Sequence, residues 1–301
     1  MFKNFKEIEK YVLDKKIVKT IALANAEDNH ALEALVMAKR KGIAKGILIG
    51  NIPKIKELLT SYNEDFNDYE FIPESDELKS ACTAVFLVKS GQADLPMKGL
   101  MMTSSFMKAI LDKENGLITP GHLLSQATIL EYQEKNRLMV ISDCAVNIMP
   151  DAEKKIMITK NAIKLANNLG IEKPNIAVLS ALEKVNPAIP STVDADIVAK
   201  YHDYDNIGNI IGPVAMDIAM SKEAALHKGV DNPVCGNADI LIMPDLAAGN
   251  IFTKGLVFFA HFKSAGVLTG TTSPVIMTSR TDTIEDKYLS ILMSIYNCEC
   301  K

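Results

Sequence analysis

The sequence predicts an α/β protein of two domains, and three observations lead there. Short apolar strands alternate with longer amphipathic helices along most of the chain, the pattern of βαβ units and parallel sheet. Glycines stand where the helical patterns stop, at Gly42, Gly91 and Gly170. A chain of 301 residues with 48% hydrophobic content can bury a sizeable core and exceeds the usual size of a single domain.

The elements follow in order. "MFKNFKEIEKYVLDKK" is a charged amphipathic helix without the apolar centre of a signal peptide. "KTIALANAED" leads into "NHALEALVMAKRKG", and "KGILIGN" into "IPKIKELL", where Asn51 and Pro53 mark the helix start. "YEFIPES" precedes "DELKSACTAVFLVKSG", and "NRLMVISDCAV" precedes "PDAEKKIMITKNAIKLANNLG". Further units are "PNIAVLSALE", "STVDADIVAKYHD", "ADILIMPDLAAGN", "IFTKGLVFFAHFKSAG" and "GVLTGTTSPVIMTS". Near the end, Val275 to Thr278 reads as a buried strand and Thr283-Ile284-Glu285-Asp286 as the first turn of a closing helix. "LLSQATILEYQEKNR" reads as a long polar helix before "LMVISD", and the first crossing between domains is expected there, with a second near Gly266. The expected domains are residues 1–130 plus 266–301, carrying the Ser279-Arg280 pair and the closing helix, and residues 131–265. The active site is expected in the cleft where the two face each other.

Composition removes several classes of function. A net charge of −4 without a dense basic run gives no footprint for nucleic acid or an anionic membrane surface. No stretch approaches the roughly 20 apolar residues of a membrane helix, and a cytoplasmic location is expected. Cys82, Cys144, Cys235, Cys298 and Cys300 are scattered outside any CxxC spacing, so reduced thiols are expected. No metal site is expected, because the histidines lie singly and Asp194, Asp196 and His202 are spaced onto different helix faces. The phosphate-loop and dinucleotide fingerprints are also absent.

Ser279-Arg280 stands out. The chain has only three arginines, Arg40, Arg137 and Arg280, so a guanidinium between a strand end and a helix start suggests an anion contact. An ion pair of Arg280 with Asp282 or Glu285 is the plainer alternative. Two hydroxyl-rich turns, Thr103-Ser104-Ser105 and Thr271-Thr272-Ser273, can complete an anion site or simply serve as caps and turns. The turn Ala247-Ala248-Gly249-Asn250 lets a ligand or another backbone come close, or is a compact turn capped by Asn250.

"SDCAVN", "NADILIMP", "PDLAAGN" and "TSRTDTIED" together resemble the phosphate acetyl/butyryltransferases, and the likeness runs over essentially the whole chain. "MKGLMMTSSFMKAIL" and "GPVAMDIAMSKEAALHKG" look most like the butyryl branch. The resemblance implies two three-layer α/β/α domains, as in the isocitrate and isopropylmalate dehydrogenases, and a homo-oligomer. It implies direct transfer of a short acyl group between CoA and phosphate in a ternary complex. No tightly bound cofactor is implied, and the acyl phosphate would pass to an acyl kinase. The family's reacting residues fall on Ser279, Arg280 and Asp286, and Cys144 falls near the CoA pocket without carrying the acyl group. The acetyl enzymes use further arginines that this chain lacks, so lysines such as Lys98 or Lys254 would supply positive charge. Thr103, Ser104, Asn250, Thr271 and Thr272 complete the expected substrate contacts.

The chemistry suits these residue types. Acyl transfer to phosphate passes through a tetrahedral oxyanion, and phosphate must be held by charge within reach of the carbonyl. Asp286 can exchange the thiol proton, or can complete a capping box with Thr283. Cys144 is equally readable as a small core residue. Rival readings are a nicotinamide-dependent oxidative decarboxylase on the same fold and a non-catalytic CoA or acyl-phosphate binding module.

Overall fold

The computed structural model describes residues 1–204 and 207–300. The chain gathers into two compact units, one of Phe5–His122 with Ala265–Lys301, the other of Met1–Asn4 with Leu123–Ser264.

The first unit opens with α1 (Phe5–Asp14), β1 (Lys19–Ala24), α2 (Asn29–Arg40), β2 (Ala44–Gly50), α3 (Ile52–Ser61), β3 (Tyr69–Pro73), α4 (Glu77–Lys89), β4 (Leu95–Lys98) and α5 (Thr103–Ile110). Helix starts follow the local chemistry: Asp28, Asn51 and Asp76 each accept a backbone N–H of the following first turn. The expected closers Gly42 and Gly91 both take positive φ. All four strands are parallel, in the order β3-β2-β1-β4. The chain therefore steps outward from β1 to β3 and then crosses back to β4 on the other side of β1. The strand order reverses between β1 and β4.

The second unit holds β5 (Ser125–Tyr132), β6 (Arg137–Ser142), α6 (Ala152–Asn168), β7 (Asn175–Leu179), α7 (Pro190–Ala199), β8 (Asn209–Val214), α8 (Met216–Met220), α9 (Lys222–His227), β9 (Ile240–Ile242) and α10 (Leu246–Ala260). Its strands run β5-β6-β9-β7-β8, parallel except for the antiparallel pair β5 and β6. β5 corrects the expected helix over "LLSQATILEYQEKNR". The segment is buried from Ser125 to Leu130 with its polar side chains enclosed, so the two-residue alternation that marks a half-exposed strand never appears. Asn136 at φ 49 then turns the chain into β6. Residue 130, the expected crossing, lies inside β5, and the border between units stands at 122/123.

The chain ends with β10 (Ser264–Thr269) and α11 (Ile284–Glu299). Between them, Ile276 donates its N–H to the Pro96 carbonyl and accepts the N–H of Lys98, both at 3.0 Å. The expected strand at 275–278 thus runs parallel beside β4, delivering Thr278 and Ser279 to the end where Lys98 leaves the sheet. α11 is buried on every side from Lys287 to Asn297, as a helix in the middle of a core must be.

Candidate active site

In open parallel sheets, ligands gather beyond the carboxyl ends of the strands where the strand order reverses. Here that point is the carboxyl end of β1 and β4. Asn25, just past β1, has φ 47, a left-handed conformation that asparagine tolerates. Its N–H donates to Ser80 Oγ at 2.9 Å. Its side-chain Oδ1 is buried without a hydrogen-bond partner among the described residues. Gly99 is required by the same turn, because a Cβ there would collide with the carbonyl oxygens of Ala24 and Asn25.

Lys98 is the last residue of β4 and only 3% exposed. Its ammonium donates to the neighbouring Gly99 carbonyl at 3.3 Å, a long hydrogen bond. Lys287, in the first turn of α11, is 1% exposed and donates to the Ser279 carbonyl at 2.7 Å and Thr278 Oγ1 at 3.2 Å. Burial pushes Lys98 below the usual lysine range, and the positive charges of Lys287 and Arg280 push it further, while Asp28 and Glu77 pull it back. Burial likewise lowers Lys287, with Asp28 and Asp282 opposing. Cations are thus gathered where desolvation and mutual repulsion both disfavour them. Such an arrangement suits an anion.

Ser279 and Arg280 are exposed at the same end. The Ser279 N–H donates to Asp282 Oδ2 at 2.7 Å, which shapes the turn, and Ser279 Oγ lies 3.1 Å from Thr281 Oγ1. The other two arginines are spent on structure: Arg40 pairs with Glu64 at 2.7 Å, and Arg137 pairs with Asp239 at 2.9 Å. Asp286 sits in the first turn of α11 with Thr283 as its cap, each hydrogen-bonding the other. Its capping geometry is therefore real, and its carboxylate is partly exposed at the end where Ser279 and Arg280 sit.

The remaining expected contacts divide. Thr103 and Ser104 are exposed in the first turn of α5, a few residues after Lys98, and belong to the same end of the sheet. Thr271 and Thr272 do not. Thr272 bonds Leu117, and Ser273 donates to the carbonyl of Asp94 at the amino end of β4. The extended run from 273 to 278 then separates them from Ser279 by roughly 15–20 Å. Thr272 lines a cavity of about 780 Å³ with Lys19, Asp94 and Cys298, at the opposite end from Lys98.

In the second unit, the "SDCAVN" and "PDLAAGN" turns leave the carboxyl ends of the neighbouring parallel strands β6 and β9 and pack on each other. A Cβ at Gly249 would stand 2.5 Å from the Asp143 carbonyl oxygen. Asn250 donates its amide to the Cys144 carbonyl at 3.3 Å. Asp143 accepts the N–H groups of Ala145 and Val146 at 2.8 and 2.9 Å. Cys144 is 3% exposed, and burial pushes its thiol up to about 12, with Asp143 adding to the rise. It is a packed thiol. Asp194 and Asp196 pair with Lys155 and Lys200 at 2.8 and 2.7 Å. Lys254 is exposed on α10.

Lys287 is the residue that sequence reasoning missed. Two signals were present. A lysine in the first turn of a helix opposes the helix dipole, and Lys287 falls on the same stripe as Ile284 and Ile291, where an apolar residue is expected.

The chain is similar to known proteins over most of its length. Residues 72–295 match the family described as phosphate acetyl/butaryl transferase. The chain is 41% identical to the phosphate butyryltransferase of Clostridium acetobutylicum over 98% of both chains. It is 37% identical to the phosphate acetyltransferase of Thermotoga maritima over 92% of this chain and 94% of that one. Among solved structures, a branched-chain phosphotransacylase from Enterococcus faecalis V583 superposes with a TM-score of 0.81 at 32% identity, covering 93% of this chain and 99% of that one. A 4-hydroxythreonine-4-phosphate dehydrogenase from Klebsiella pneumoniae shares the fold, with a TM-score of 0.53 at 11% identity over 93% of this chain and 99% of that one. By sequence over nearly its whole length and by fold, this chain belongs to the phosphate acetyl/butaryl transferase family, a family of enzymes.

Proposed function

We propose that this protein transfers a short acyl group, butyryl or one of similar size, between CoA and inorganic phosphate. The observation that carries the reading is the gathering of Ser279, Arg280 and Lys98 at the β1/β4 switch point in a chain of this family. A phosphate oxygen attacks the thioester carbonyl directly, the carbonyl oxygen becomes an oxyanion, and collapse expels the CoA thiolate. Arg280 presents a planar fork to the phosphate oxygens. Ser279 Oγ–H donates to the oxyanion or to the departing sulfur. Asp286 takes the proton that the attacking hydrogen phosphate loses and passes it to the departing thiolate; in the other direction it removes the proton from the thiol and returns it to phosphate. Thr103 and Ser104, at the free N–H groups opening α5, add donors for CoA or phosphate.

The relatives named for butyryl transfer support the butyryl branch. The product, a mixed anhydride of a carboxylic and phosphoric acid, suits onward transfer of its phosphoryl group by an acyl kinase. Five free thiols agree with a cytoplasmic setting. A homo-oligomer is part of the reading. On α10, Ile251, Phe258 and Phe259 are 72%, 61% and 89% exposed along one stripe, an apolar surface suited to a second copy.

The test is loss of thioester absorbance on incubation with a panel of acetyl-, propionyl-, butyryl- and isobutyryl-CoA, with phosphate and separately with arsenate. Consumption that is fastest for butyryl-CoA supports the reading. Failure of both anions to consume any thioester would refute it.

A further inference from the structure

Lys98 and Lys287 reach the same end of the sheet from separate elements, β4 and α11. Both side chains are almost wholly removed from water, and Lys98 is near enough to Lys287 and Arg280 to feel their charge. Among the described residues, neither ammonium is in an ion pair at salt-bridge distance. A protein gains nothing in stability from two desolvated cations that repel each other, because burial and a like charge both disfavour the ionised form. The hydrogen bonds made by Lys287 go to a neutral carbonyl and a hydroxyl, and that of Lys98 to a neutral carbonyl at long range. These orient the ammonium groups without neutralising them.

We propose that Lys98 and Lys287 form the inner wall of the phosphate site, clasping the dianion between them while the exposed Arg280 closes it from the solvent side. In the transfer direction the ligand is inorganic phosphate, and in the reverse direction it is the phosphoryl group of the acyl phosphate. The assignment rests on the proposed acyl transfer and deepens it, since it separates the part of the site that reads phosphate from the part that reads CoA. It also answers how a chain with two of its three arginines committed elsewhere concentrates enough positive charge. Two buried point charges contribute most to a compact dianion, because Coulomb attraction is strongest where water is excluded. A bidentate guanidinium then fixes the orientation of its oxygens. The unpartnered Asn25 Oδ1 at the same end is an acceptor for an ammonium hydrogen or for a protonated phosphate oxygen.

The experiment compares the full-length protein with Lys287→Met and Lys98→Met, which keep an unbranched chain and remove the charge. Melting temperature is read with and without inorganic phosphate, against chloride of equal ionic strength. KM values for phosphate and for butyryl-CoA are measured alongside. The expected result has three parts. The phosphate-free variants melt at or above the wild-type temperature, their phosphate-dependent rise is lost, and KM for phosphate increases roughly 10- to 100-fold with KM for butyryl-CoA little changed. A lower phosphate-free melting temperature combined with an unchanged KM for phosphate would make Lys287 a strut for the Ser279 carbonyl and overturn the proposal. If Lys287→Met fails to fold, Lys98→Met decides by the same readings. A wild-type protein that gains stability from phosphate but consumes no thioester would sink the acyl-transfer reading and leave the anion site standing. A wild-type protein that turns over without any effect of either substitution on phosphate would do the reverse.

Discussion

Thr283 and Asp286 bind each other in both directions: the Asp286 N–H donates to Thr283 Oγ1 at 3.1 Å, and the Thr283 hydroxyl donates back to Asp286 Oδ2 at 2.6 Å. The first bond caps α11. The second spends one carboxylate oxygen on a hydroxyl and leaves the other for chemistry. Capping and proton transfer are therefore compatible in a single side chain.

Asp286→Asn separates them. The amide oxygen still accepts the Thr283 hydroxyl and the backbone cap is untouched, so stability should fall by about 1 kcal/mol or less. Asparagine cannot take the CoA proton, and kcat for CoA plus acyl phosphate should fall roughly 10²- to 10⁴-fold at neutral pH. Activity should recover as pH rises toward the thiol's own ionisation near 8.5. An Asn variant with normal turnover at neutral pH would leave Asp286 as a cap only.

Arg280→Lys keeps the charge and loses the fork. With one charge-assisted contact to phosphate weakened, kcat/KM for phosphate should fall by the equivalent of about 1.5–3 kcal/mol. Because Arg280 is exposed, the melting temperature should hardly change. Wild-type kcat/KM would remove the guanidinium from the reaction.

Cys144 should be silent to thiol reagents. Its thiol is 3% exposed and pushed up to about 12, so almost none is thiolate at neutral pH. Mass spectrometry after brief alkylation of the native protein should find Cys82, which is exposed, labelled well before Cys144. Cys144→Ala should retain turnover while costing about 1 kcal/mol of packing. Rapid labelling of Cys144 with loss of activity would place the thiol at the substrate.

Alkaline pH supplies an independent check on the lysine pair. Lys98 and Lys287 both lie below the ordinary value of 10.5 in the native protein. Between the depressed values and 10.5 the unfolded chain holds these protons and the native site has shed them, so raising pH through that window favours folding. Asp28, Glu77 and Asp282 face the pair and limit the depression, while Arg280 deepens it. Lys287→Met lacks most of this contribution. Its melting-temperature advantage over wild type should be largest near neutrality and shrink as pH approaches 10.5. An advantage independent of pH would mean that the native lysines are not perturbed.

Local structure and the family motifs are legible in the order of the amino acids, because both depend on neighbours along the chain. Asn51 and Pro53 announce α3, and Gly42 and Gly91 end helices by taking a left-handed turn, whatever lies around them. The scarcity of arginine likewise marked Arg280 without any coordinates. Tertiary structure decided what depends on distant partners. β5 is a strand because burial on both faces overrides a polar composition that reads as helix. Thr271 and Thr272 lie at the amino end of β4 because the run from 273 to 278 follows that strand in parallel. Lys98 and Lys287, far apart in the chain, become one charge cluster only when the strand order reverses beside β1 and α11 is buried against the same unit. Their meaning lies in desolvation and mutual repulsion, which are properties of the space around a side chain and not of its place in the sequence.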